Sequence, residues 1–293
     1  LLVGGGRRAA LDAELTYAER PTEPVQAAIE AFFFSCFPEA RRLKITHRWG
    51  GIMGFSGDHT AWGLQIRALA ERHRVIAFDN RGTGQTDTPD APYTTRMMAD
   101  DTAGLMDALG IDRAHVIGIS MGGMIAQELA LADPERVSSL HLGCSLARPD
   151  AYMLALNASW RHIRARLGRD AMLRPLGLWL FAPTTYDERP ELVEAVLQNS
   201  LASPYPQSLT GFLHQSEAVA AHDALDRLGS IRCPTLVSVG EEDILVPPRF
   251  SREIAERIPD AGLRVVPGAA HGYFLERAAA FNEICLEFLA QVG

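Results

Sequence analysis

The chain has 293 residues, 47% apolar and 22% charged, the balance of an ordinary globular protein of one or two domains. Its formal net charge of −8 excludes the broad basic surface that nucleic-acid binding needs. No apolar run reaches the ~20 residues that span a bilayer, and no basic leader precedes the cluster Ala31-Phe32-Phe33-Phe34-Ser35-Cys36-Phe37, so a soluble, cytoplasmic protein with no membrane partner is expected.

Residues 1–45 stand apart as an atypical N-terminal segment. The stretch Arg41-Arg42-Leu43-Lys44-Ile45-Thr46-His47-Arg48-Trp49 is too basic for a fully buried parallel strand. A first core segment follows over 46–145. Trp62, Ile66, Leu69 and Ala70 recur at helical spacing, and Val75-Ile76-Ala77-Phe78-Asp79 reads as a strand. Met98, Thr102, Leu105, Met106 and Leu109 mark a helix that Gly110 ends. A strand from Ala114 to Ile119, a helix from Met121 to Ala132 stopped by Asp133-Pro134, and a strand from Val137 to Leu142 come next.

Residues 146–222 hold no clear strand. They are rich in helix formers and carry Trp160, Trp179, Phe181, Tyr186, Tyr205 and Phe212, which predicts a helical cap whose aromatics mostly pack it onto the core while a few line a pocket. The alternation resumes over 223–293. A strand runs from Pro234 to Val239, a helix carries Phe250, Ile254 and Ile258, and a strand follows from Leu263 to Val266. The last helix carries Phe281, Cys285, Phe288 and Leu289. Alternating strands and crossover helices predict the α/β class with a mostly parallel, doubly wound sheet.

Gly118-Ile119-Ser120-Met121-Gly122 lies at a strand-to-helix junction. A sharp turn there lifts a serine hydroxyl above the sheet and points the first helix amides at it. Gly118 and Gly122 permit the close approach of helix and strand that a Cβ would block. A serine hydroxyl is a weak nucleophile and needs a base held by a third group. In such a fold the acid and then the histidine follow on loops after later strands. Gly240-Glu241-Glu242-Asp243 follows one strand and Gly268-Ala269-Ala270-His271 another. Asp243 is therefore the expected orienting carboxylate, with Glu241 and Glu242 as solvated alternatives, and His271 the expected base. His115 and His141 fall within strands and are expected to be packed. His162 and His214 fall in the cap. Cys36, Cys144, Cys233 and Cys285 show no metal-ligand spacing, so neither a metal nor a cofactor is expected.

Asp79-Asn80-Arg81-Gly82-Thr83-Gly84-Gln85-Thr86, the GISMGG run, GEEDILVPP and GAAHGYFLERAAAFN together resemble the α/β-hydrolase superfamily over residues 52–293. GISMGGMIAQELA is similar to 3-oxoadipate enol-lactonases and related esterases. The resemblance implies a serine hydrolase acting on a small-molecule carboxylic ester or lactone through Ser120, His271 and Asp243. It implies an oxyanion hole built from the amide of Met121 and one from an earlier loop. Ile52-Met53-Gly54-Phe55-Ser56-Gly57 resembles the Met-Gly variant of that loop and nominates the amide of Phe55. Gly50-Gly51 is the second choice. Carbon–carbon bond hydrolases, acyltransferases and perhydrolases use the same triad, and a non-catalytic ligand receptor on this scaffold is the alternative of another class.

Overall fold

The computed structural model describes residues 50–54 and 59–292. Phe55 and the segment 1–45 lie outside them. Among the described residues, six strands form one parallel sheet in the order β2-β1-β3-β4-β5-β6. They are β1 (Gly50–Gly54), β2 (Arg74–Ala77), β3 (Ala114–Ile119), β4 (Val137–Gly143), β5 (Thr235–Gly240) and β6 (Gly262–Val266). Between and after them run α1 (Gly63–Leu69), α2 (Thr95–Ala108), α3 (Met121–Ala132), α4 (Ala151–Leu167), α5 (Arg169–Leu180), α6 (Pro183–Glu188), α7 (Pro190–Leu201), α8 (Leu209–Ala221), α9 (Pro248–Arg257), α10 (Tyr273–Glu276) and α11 (Ala278–Val292).

The predicted elements match these closely, with one correction. Ile52, Met53 and Gly54 belong to a strand, not to a loop, as do Gly50 and Gly51. β1 lies between β2 and β3, with Gly54 beside Gly118. A strand of GGIMG has weak β propensity and little side-chain area of its own. Pairing to a neighbour on both sides compensates, and no single-strand pattern reveals that. Gly50-Gly51 thus cannot serve as the loop donor of an oxyanion hole, because both residues sit at the start of the strand, away from its C-terminal end.

The chain winds outward in both directions from β1 and β3. The crevice at the carboxyl ends of these two strands is where open α/β sheets place their ligands. β3 and β5 are buried along their whole lengths, as expected for central strands covered by helices on both faces. On one face, α3 buries every residue from Met121 to Ala130 and packs with Val116, Leu140 and Val237. On the other, Trp62, Phe274 and Phe281 meet Ile117, Ile119 and Val239. Five helices, α4–α8, separate β4 from β5, as the absence of a strand pattern predicts. Two of them, α5 and α7, contain no buried residue.

His141 is buried within the second core. Its ring stacks on Phe281 at 5.5 Å, and its Nε2 and Nδ1 face Ser238 Oγ at 2.6 Å and Cys285 Sγ at 3.3 Å. Burial depresses its pKa from 6.5 to about 3, and burial likewise takes His222 to about 4. Both are neutral in the fold but protonate in the unfolded chain below pH 6.5. Their contribution is complete above that pH and is lost as the pH falls towards the folded values. Urea titrations should show stability declining from pH 6.5 towards pH 4, by up to about 1.4 kcal/mol per pH unit for each histidine. His141→Gln should flatten that slope; an unchanged slope would assign it to other groups.

Candidate functional site

The site is assembled at the carboxyl ends of β3, β5 and β6. Ser120 directly follows β3 and precedes α3, with φ 56 and ψ −122. A positive φ in a non-glycine residue costs on the order of 1–3 kcal/mol and persists only where the surroundings impose it. Here the surroundings are specific. The Ser120 amide donates to Gly143 O at 2.8 Å, and its carbonyl accepts from Ser145 Oγ at 2.9 Å. A Cβ on Gly118 would overlap the carbonyl of Gly122, and one on Gly123 would lie 2.6 Å from Ser145 Oγ. Gly123 is thus also required, though against a side chain where Gly118 faces backbone. The serine is half-buried, at the mouth of the crevice.

Met121 is the first residue of α3. Its amide belongs to the opening turn, whose N–H groups lack intrahelical acceptors and sit at the positive end of the helix dipole. Phe55 lies outside the described residues. The end of β1 at Gly54 brings the chain to the level of Gly118. His59 is fixed through its amide and Nδ1 to Asp79 Oδ1, at 2.6 and 3.0 Å. Burial pushes the Asp79 carboxyl pKa up. Hydrogen bonds from His59 and the Gln85 amide outweigh burial and hold it below its usual value. Arg81 pairs with Asp101 through Nε and Nη2, each at 2.5 Å, and takes no part in the crevice.

Asp243 and His271 come together as the spacing predicts. His271 Nδ1 lies 2.9 Å from Asp243 Oδ2, and both side chains are buried. The other carboxylate oxygen accepts the amides of Leu245 at 2.9 Å and Val246 at 2.8 Å. A carboxylate only accepts, so the ring proton belongs on Nδ1 and Nε2 remains the basic nitrogen. Ser120 Oγ and His271 Nε2 share no hydrogen bond among the described residues. The loops carrying the pair are locked together, since Glu241 N and Glu242 N donate to Val266 O and Ala269 O at 2.9 and 2.8 Å. This backbone role separates Glu241 and Glu242 from Asp243, whose side chain alone reaches the imidazole.

Two neighbours carry no sequence motif of their own. Cys144, with φ 45, places Sγ within 4.8 Å of ligand atoms of Asp243 and His271. Burial, then the Asp243 carboxylate, pushes the thiol pKa well above its usual value. A thiol held in its protonated form is a poor nucleophile beside Ser120. Glu276, five residues after His271, is fully buried and receives the amide of Ala270. The signal was present in His271-Gly272-Tyr273-Phe274-Leu275-Glu276, but a helical glutamate reads as solvated unless its donors are known.

Residues 51–278 match the family model described as the alpha/beta hydrolase fold. The chain belongs to the α/β-hydrolase family. This α/β-hydrolase is 36% identical over 239 residues to "Putative carbamate hydrolase RutD" of Azorhizobium caulinodans, covering 82% of the chain and 89% of the relative. Among solved structures it is similar to a thermophilic esterase from Thermogutta terrifontis, with a TM-score of 0.76 and 29% identity over 83% of this chain and 90% of that one. It is also similar to the enol-lactonase from Burkholderia xenovorans LB400, with a TM-score of 0.78 and 26% identity over 85% and 94%. Among the described residues of the hydrolase, no helix is long and apolar enough to cross a membrane.

Gly118→Ala should destabilise the hydrolase by about 1–3 kcal/mol through overpacking against backbone. A thermal melt that matches the wild type would show that strand and helix are less tightly apposed than this geometry requires.

Proposed function

We propose that this α/β-hydrolase cleaves a small-molecule carboxylic ester or lactone through an acyl-enzyme. The reading rests on the buried hydrogen bond between Asp243 and His271, on loops beside the strained Ser120 turn. Ser120 Oγ attacks the carbonyl carbon while His271 Nε2 takes its proton. Asp243 holds the Nδ1 tautomer and stabilises the imidazolium. The amides of Met121 and Phe55 receive the oxyanion, a role in which one lost donor costs about 10²–10³ in rate. The alkoxide leaves with the proton from His271; in a lactone it stays attached as the far end of the opened acid. Water, deprotonated by the same nitrogen, then releases the carboxylic acid and restores Ser120.

The helices over 146–222 act as the cap in this reading, flanked by core segments 46–145 and 223–293. Trp160 and Trp179 pack against a cluster that also holds Leu245 and Val246, whose amides bond Asp243. A carbamate is the second substrate class to test, because a relative 36% identical carries that name and attack on its carbonyl needs the same groups.

A panel of p-nitrophenyl esters, lactones, carbamates and dienoate ring-fission products separates ester, lactone, carbamate and carbon–carbon cleavage. Ser120→Ala should lower kcat by about 10⁴–10⁶ and abolish labelling by a fluorophosphonate, and Asp243→Asn should cost about 10⁴. Full activity in Ser120→Ala would overturn the assignment. A folded wild type that is never labelled would favour a ligand receptor.

A further inference from the structure

The loop that carries His271 is fastened to the helical insertion by one buried side chain. Glu276 Oε1 accepts the amide of Ala270, the residue before His271. Its Oε2 accepts the amide of Ala182 at 3.1 Å and the hydroxyl of Thr185 at 2.6 Å. Ala182 and Thr185 lie at the start of α6, and all four residues are buried. The same two segments meet twice more, each time at a backbone carbonyl. Gly272 N donates to Leu180 O at 2.6 Å, and Arg189 Nη1 donates to Glu276 O at 2.8 Å. The residues on both sides of His271 are therefore held by the Leu180–Arg189 segment or by the carboxylate that binds it.

Three donors converge on two oxygens, and each donor is an N–H or O–H that would be orphaned without Glu276. A carboxylate satisfies all three because it accepts through both oxygens. A glutamine would turn a donating NH₂ towards one of these donors. Charge at this position is thus matched to its partners, beyond what filling the space requires.

We infer that Glu276 is a positioning residue, which sets the placement of His271 against Ser120 by tying the Ala270 amide to Ala182 and Thr185 of the insertion. The inference rests on the triad proposed above. Through this tie, a displacement of the Leu180–Arg189 segment reaches the imidazole directly, so substrate seated under the insertion and the base are mechanically coupled. Misplacement of a catalytic group by about 1 Å is enough to cost about 10²-fold in rate.

Glu276→Gln should lower the maximal rate of Ser120 labelling by a fluorophosphonate about 10- to 100-fold, with half-saturation unchanged. It should also shift the downfield proton resonance of the His271 Nδ1–Asp243 bond. Thr185→Val, which removes one donor on the insertion side, should slow labelling about 3- to 10-fold, and Thr185→Ser should restore it. A folded Glu276→Gln protein with wild-type labelling and an unmoved resonance would overturn the inference. If Glu276→Gln does not fold, the Thr185 pair decides: wild-type labelling and an unmoved resonance in Thr185→Val reject the coupling. A wild type that is never labelled sinks the triad reading instead, and the resonance in the variants still tests the tie.

Discussion

The hydrogen bond between His271 Nδ1 and Asp243 Oδ2 joins two loops that leave the sheet at different strands, and it governs how much of the surrounding structure is arranged. It is buried, so each partner must be satisfied locally. Asp243 takes two backbone amides on its free oxygen. His271 meets that carboxylate through Nδ1. The backbone bonds from Glu241 and Glu242 across to the β6 loop fix the two loops before the side chains meet. The pairing is accordingly a consequence of parallel β5 and β6 ending in register.

A second constraint acts on Ser120. It is held in a backbone region that side chains disfavour, with Gly118 packed against the backbone of Gly122 and Gly123 against the Ser145 side chain. Such packing is possible because α3 is mostly apolar and buried from Met121 to Ala130, its two polar side chains bonding Leu146 O and Arg227. The Ser120 turn is therefore anchored in the most deeply buried long helix among the described residues, while α5 and α7 of the insertion bury no residue.

Much of this was legible in the residues. Ala114–Ile119, the GISMGG turn and Met121–Ala132 form one continuous local signal, because a buried strand, a tight turn and an apolar helix each leave their own pattern. Asp243 and His271 could be read because each follows an apolar strand of the right length. β1 could not. Its glycines carry no strand signal, and only pairing with β2 and β3 makes them one. Glu276 was hidden for a related reason: its three donors come from residues 182, 185 and 270, so no window of sequence contains them. Cys144 carries no motif either, since its place beside Asp243 depends on β4 and β5 being neighbours.

The absence of buried residues in α5 and α7 has a thermodynamic counterpart. Segments that bury little open at a smaller free energy than the strands beneath them. Amide hydrogens in these two helices should exchange with solvent through a sub-global opening that leaves β3 and α3 closed. The molecule then behaves as two cooperative units of unequal stability. The boundary between them runs along the Leu180–Arg189 segment, where the upper unit is fastened to the lower by a buried carboxylate.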